Sequence, residues 1–179
     1  MRGILRTVGL GLMLALSVRA AHADAEYTMH GRVSYDAGSN LIKGQEDKDW
    51  THATVNTLIL PGDTLWVDEG GTSEIEFSGG TYLRGADGTK VEISGLPPQA
   101  MSKLWEGSMY IQRLSRSTGE VRIETPSARI SIENDSIVRI DVLDKGGTTL
   151  SVRTGRATIS ALDGGGTVGV DSGERAWAD

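Results

Sequence analysis

Short runs of alternating apolar and polar residues, separated by turn residues about every ten positions, constrain this chain more than any other feature. Ile75 and Phe77 are flanked by Glu74 and Glu76, and Val91 and Ile93 alternate with Lys90 and Glu92. Val121 and Ile123 enclose Arg122, Ile130 and Ile132 enclose Ser131, and Val138, Ile140 and Val142 enclose Arg139 and Asp141. Leu150 and Val152 enclose Ser151, then come Ala157, Ile159 and Ala161, and finally Val168 and Val170. Successive side chains on a strand point to opposite faces, so period two gives each segment one apolar and one polar face. Between the runs lie Ser78-Gly79-Gly80, Asp87-Gly88, Thr118-Gly119, Asn134-Asp135, Lys145-Gly146-Gly147 and Asp163-Gly164-Gly165-Gly166. Glycine supplies the positive φ of tight hairpin turns, and Asn and Asp tolerate it.

About ten strands at this spacing predict an all-β domain, a two-sheet sandwich or jelly roll, and the regular beat also permits a β-solenoid. Pro97-Pro98 interrupts the series. Gln99 to Glu106 reads as a helical turn or crossover joining two halves of one domain. Towards the N-terminus, Arg32 to Tyr35 and Leu41 to Lys43 read as a hairpin around Asp36-Ala37-Gly38, and Pro61-Gly62-Asp63 reads as a turn before inward Leu65 and Val67.

Residues 1–23 have the pattern of a cleavable export signal. Arg2 and Arg6 precede an apolar run from Val8 to Val18, and Ala21-His22-Ala23 offers a small-x-small cleavage site, with Ala23-Asp24-Ala25 as a second. That run is far shorter than the roughly 20 residues a membrane span needs. The expected product is a periplasmic or secreted protein of residues 24–179, not an integral membrane protein. Losing Arg2, Arg6 and Arg19 takes the basic count from 18 to 15 against 24 acids, so the net charge of −6 becomes −9. An acidic surface repels phosphate backbones, which argues against nucleic acid as a partner.

Catalytic and cofactor chemistry finds little material. With no Cys there are no disulfides, thiolate ligands or Cys nucleophiles, and three His are too few for a multi-His zinc site. A nucleophilic Ser needs a His base, but His30 and His52 lie in no recognisable setting and no Gly-x-Ser-x-Gly elbow occurs. Glu46, Asp47 and Asp49, like Asp68 and Glu69, read as solvated loop carboxylates. The Asp163–Asp171 stretch fits the nonapeptide calcium repeat poorly and occurs once. No phosphate-cradling Gly loop opens a helix, so no nucleotide is expected. The expectation is a non-enzymatic protein with neither metal nor cofactor.

Aromatic placement is the one positive hint of a binding face. Trp66 lies between inward Leu65 and Val67, Tyr82 stands opposite Leu83, and Trp105 closes the segment before Gly107. Outward aromatics can stack on a sugar or an apolar patch, which makes Trp66, Tyr82 and Trp105 candidate binding residues. The competing reading buries Trp66 under the 95–106 segment. Trp50 and Trp177 are expected at core edges or strand ends. Outward Arg122, Glu124, Arg139, Asp141 and Arg153 read as a solvated sheet face or a partner surface, with cross-strand pairs contributing about 0.2–1 kcal/mol each.

Several stretches in order resemble the FecR domain family. They are Pro61-Gly62-Asp63, Ser73 to Arg84 with its Gly79-Gly80 turn, Trp105 to Tyr110, Gly119 to Ala128, Arg139 to Val142, Gly155-Arg156-Ala157 and Val170 to Glu174. The resemblance spans about 32–176. It implies a periplasmic, all-β, non-enzymatic module for signal transduction. The family's regulators sense an outer-membrane transporter and control a sigma factor across the inner membrane. Those regulators carry a cytoplasmic sigma-binding segment and a transmembrane helix, neither of which is expected here. The domain also occurs beside peptidoglycan-binding modules, so the implied partners are another envelope protein or cell-wall glycan.

Overall fold

The computed structural model describes residues 30–179; the export-signal reading falls outside them. The described residues form sixteen strands. They are β1 (Gly31–Ala37), β2 (Leu41–Lys43), β3 (Thr51–His52), β4 (Leu58–Ile59), β5 (Thr64–Val67), β6 (Thr72–Phe77), β7 (Thr81–Gly85) and β8 (Thr89–Gly95), then β9 (Gln99–Arg113), β10 (Glu120–Glu124), β11 (Ala128–Ile132) and β12 (Ser136–Val142), and last β13 (Thr148–Thr154), β14 (Arg156–Ala161), β15 (Thr167–Asp171) and β16 (Arg175–Ala178). Alternation in sequence becomes alternation in burial: β6 and β5 bury every second residue, as do β10 and β12 over most of their length.

The strands make two packed sheets that share β9. Sheet A runs β4-β1-β6-β7-β9-β12-β13-β16, and sheet B runs β3-β2-β5-β8-β9-β10-β11-β14-β15. Residues 99–106 of β9 pair in sheet B with β8 and β10, and residues 107–113 pair in sheet A with β7 and β12. Gly107 marks the crossing. Its φ is +87°, and a Cβ there would lie 2.6 Å from the Gly88 carbonyl oxygen and the Thr89 Cα. Only a residue without a side chain lets the bent strand pass that close to the β7–β8 turn. Gly119 does the same before β10, where a Cβ would fall 1.8 Å from the Pro98 carbonyl oxygen.

The fold is therefore an open β-sandwich, and the solenoid alternative is not formed. Stacked coils of a solenoid pair in parallel, whereas here β9–β10 is the single parallel ladder among the described strands. Its core takes Phe77, Ile75, Leu83, Met109, Ile111 and Ile140 from sheet A and Leu65, Ile93, Leu104, Ile123 and Ile130 from sheet B, all buried. Area removed from water by these side chains, at about 25 cal/mol per Å², is the main stabilising term.

Two local expectations are corrected. Gln99 to Glu106 is strand rather than a helical crossover: Ala100, Ser102 and Leu104 face the core. A serine at an inward position and Met101 at an outward one blurred the alternation there. The expected hairpin of 32–35 with 41–43 is also absent. Strand β1 pairs with β4 and β6, while β2 pairs with β3 and β5 in the other sheet. The turn at Gly38 (φ +103°) carries the chain between sheets instead of back along itself. Local turn chemistry cannot distinguish these two routes. The turn at Pro61-Gly62-Asp63 does form, closed by the Asp63 N–H on the Leu60 oxygen at 3.1 Å.

Candidate functional site

The three aromatic candidates do not form one site. Trp66 on β5 and Trp105 on β9 lie on the outer face of sheet B, separated by β8, whereas Tyr82 on β7 lies on the outer face of sheet A. No crossover covers Trp66, which is half-buried among its own sheet neighbours Leu41 and Lys90. Trp105 is 40% exposed, but its ring carries the Lys103 ammonium 3.7 Å from the centroid and its indole N–H donates to Glu92 at 3.3 Å. One ring face and the polar edge are thus already engaged. The Tyr82 hydroxyl donates to Glu76 Oε1 at 3.2 Å; burial first, and then the Glu76 charge, push its pKa up, so it stays a neutral phenol.

Sheet A carries the more organised polar face. Its register aligns Arg32, Glu76, Tyr82 and Gln112 in one row and Glu74, Arg84, Tyr110, Arg139, Ser151 and Arg175 in the next. Arg32 pairs with Glu76 at 2.6 Å, and Arg84 with Glu74 at 2.7 Å. Arg139 pairs with Asp141 at 2.6 Å, donates to the Tyr110 hydroxyl and lies 5.0 Å from that ring's centroid. Ser108 donates to Asp141 at 2.5 Å. Burial opposes ionisation of Asp141, but these two hydrogen bonds and the Arg139 and Arg175 charges together hold its pKa below the usual carboxylate value. Arg139 is correspondingly raised by its hydrogen bond to Asp141. The outward charges expected on the sheet faces are thus present, mostly paired, and Arg153 has no ion-pair partner among the described residues. A groove of about 500 Å³ runs past Tyr110, Arg139, Ser151, Arg153 and Arg175.

Beside that groove the sandwich ends in an open flank. On this side of β9, sheet B has four strands (β10, β11, β14, β15) and sheet A three (β12, β13, β16), counted over the described residues. Val168 shares strand parity with Val170, so both aim at sheet A. Val170 is 1% exposed and Val168 is 56% exposed, because sheet A supplies no strand over it. Trp177, expected to pack at a core edge or a strand end, lies near the end of β16 but is 73% exposed, a correction to the expected packing. It projects outward from the last strand of sheet A in register with Thr149, where no neighbour shields it. Alternation marked Val168 as an inward residue, but no local signal showed that β15 and β16 are edges. The nearest hint was a final strand pair lacking Lys and Pro, the residues that commonly block an edge.

Among the described residues no group of three or more His, Asp and Glu is placed to hold a metal ion, and no helix is long and apolar enough to cross a membrane. His52 lies exposed on β3 of sheet B, and His30 leads into β1 of sheet A.

A family model, described as FecR protein, matches residues 63–165, more than half of the chain. The chain belongs to the FecR family. The match begins at the turn before β5 and ends in the β14–β15 turn, so this FecR-family sandwich adds β1 to β4 and the β15–β16 flank around the matched segment. No curated protein matches it. Two crystal structures of a candidate anti-sigma factor from Parabacteroides distasonis ATCC 8503 are similar, each with a TM-score of 0.53 and 13% sequence identity over 65% of this chain. At that identity the likeness is one of fold, and the chain spans 59% of the length of the solved protein.

Proposed function

We propose that this FecR-family chain is a non-enzymatic sensing module of the bacterial periplasm that binds another cell-envelope protein. Residues 1–23 would act as its export signal and 24–179 as one binding domain, without cofactor or metal. The observation that carries this reading is the β15–β16 flank: two strand edges unpaired among the described residues, longer than those of the β3–β4 flank, with Val168 and Trp177 exposed beside them. Unpaired edges and exposed apolar side chains are what strand-adding partners use. Family membership adds the signalling context, and the likeness to a candidate anti-sigma factor adds a fold of the same kind. In-cell cross-linking followed by affinity capture of the tagged protein is expected to yield one dominant envelope protein. Recovery of self-cross-links alone would overturn the reading.

A second reading, cell-wall glycan binding, draws on Trp66 and Trp105 sharing the outer face of sheet B. If it holds, pelleting of the protein with isolated sacculi is lost in Trp66→Ala and Trp105→Ala but not in Tyr82→Ala, which alters the opposite face. Equal pelleting of all three variants would remove it.

A further inference from the structure

The flank where sheet A is one strand shorter than sheet B has the geometry of an acceptor for a single added strand. We infer that β16 pairs with an extended, acidic segment of a partner protein, which lays an apolar side chain over Val168 and sets a carboxylate against Arg175. This inference rests on the protein-binding reading above and names where and by what chemistry the partner is held.

Three observations lead there. First, β16 bonds β13 on one side only, so along Arg175–Ala178 a row of backbone groups is open to pairing among the described residues. The strand is held firmly enough to serve as a template. Its leading turn is fixed by the Val152 N–H on the Glu174 oxygen at 3.0 Å and the Gly173 N–H on the Val152 oxygen at 2.8 Å, and at its far end Ser127 donates to the Ala178 oxygen at 3.0 Å.

Second, the inward side of β16 is built from small residues, Ala176 and Ala178, beside the uncovered Val168. A strand added beside β16 would place its inward side chains above Val168, completing the fourth strand of sheet A on this flank. Val168 would then be buried as Ile159, its partner across the β14–β15 ladder, already is at 4% exposure.

Third, the outward side is cationic in a chain whose net charge is −6. Arg175 donates to Ser151 at 2.9 Å and makes no ion pair, and Arg153, two residues along β13 from Ser151, is likewise unpaired among the described residues. Arg139 in the same groove is satisfied by Asp141. Arg175 acts on Asp141 only at longer range and Glu174 also lines the groove, but an incoming carboxylate finds two cations there without a contact ion pair, and Trp177 beyond them offers an apolar face. A basic segment would meet repulsion at the same place, so the site selects by charge as well as by extension.

The experiment uses two fluorescent octapeptides in which Val alternates with either Glu or Lys, titrated into the protein and followed by anisotropy and by hydrogen exchange. The Val/Glu peptide is expected to bind with protection of the β16 amides, and the Val/Lys peptide to bind at least about tenfold more weakly. Arg175→Glu should reverse that preference, a gain a misfolded variant could not show. Val168→Asp should abolish binding of the Val/Glu peptide, and Lys48→Glu, the same charge change as Arg175→Glu on the opposite flank, should leave it unchanged. Equal binding of both peptides, unchanged preference in Arg175→Glu, or absence of binding would overturn the inference. So would concentration-dependent self-association abolished by Val168→Asp, which would make a second copy of this chain the occupant. An envelope partner captured in cells that cross-links elsewhere than β16 would overturn this site and leave the broader reading standing.

Discussion

At the flank formed by β3 and β4 both sheets end in strands of two residues, whereas at the flank formed by β15 and β16 they end in strands of five and four. The short edges lie where both sheets have four strands beyond β9, and the chain leaves β4 directly into Leu60-Pro61, where the missing proline N–H prevents further pairing. The longer edges lie where the sheets are unequal. Ile59 on β4 is consequently 1% exposed, while Val168, an inward-facing residue of an edge strand on the other flank, is 56% exposed. One flank completes the core and the other leaves it accessible, so whether an edge strand here is closed or open depends on what the facing sheet supplies.

The largest effect expected from this contrast comes from truncating those two inward residues. Ile59→Ala removes packed methylenes from a closed site and should cost about 3 kcal/mol in urea denaturation. Val168→Ala removes methyl groups already in water and should change stability by less than about 0.5 kcal/mol. Similar losses for the two variants would mean that the β15–β16 flank is closed in solution, and with it the acceptor site would fall.

How much of this was legible in the sequence follows from the range of each interaction. Strand identity and facing depend on neighbours two residues apart, so Ile75, Phe77, Ile130, Val138 and Leu150 could be assigned inward without any structure. Turns depend on one or two residues, and Gly79, Gly88, Gly119, Asp135 and Gly146 all adopt the positive φ their chemistry suggested. Strand order depends on pairings across tens of residues, which alternation does not encode. That is why β1 and β2 read as a hairpin although they belong to different sheets, and why Trp66 and Tyr82 looked like parts of one face although they lie on opposite sides of the sandwich. The open flank was illegible for the same reason. Exposure of Val168 is set by the number of strands in the other sheet, not by anything within Thr167–Asp171. Family resemblance fared better because it draws on order and spacing over the whole chain, and the match at 63–165 lies inside the 32–176 span read from the motifs.

Electrostatics sharpens the same comparison, with a smaller effect. Asp141, on the open-flank side of β9, is held in its ionised form by Ser108 and Arg139. A carboxyl whose folded-state pKa is depressed adds stability that is complete above its unfolded value near 3.8 and lost as pH falls through the depressed one. Asp141→Asn should therefore lower stability by about 0.5–1 kcal/mol at pH 7, since the pair is partly solvated. In thermal melts that difference should hold down to about pH 4 and shrink towards pH 2. A constant difference across this range would mean that the Ser108 and Arg139 contacts act through shape rather than charge.

The smallest effect, and one of opposite sign, is expected at the closed flank. Asp63 sits in the turn before β5, where burial pushes its carboxyl up; the Leu60 N–H pulls it down and the nearby Asp47 charge adds to the rise. A group whose folded pKa is raised contributes stability that is present below the unfolded value and lost as pH rises through the folded one. Ionised Asp63 is thus a cost that the turn carries at neutral pH. Its useful contact is the hydrogen bond that its Oδ2 accepts from the Leu60 N–H at 2.8 Å, and the amide oxygen of Asn accepts the same bond without the charge. Asp63→Asn is expected to raise the melting temperature slightly at pH 7 and to match the wild type at pH 3. Asp47→Asn should recover part of that gain, by removing the repulsion while leaving the burial. A lower melting temperature for Asp63→Asn at pH 7 would mean that the charge on the acceptor strengthens the Leu60 bond by more than burial and Asp47 together oppose it, and the closed flank would then share the electrostatic character of the open one.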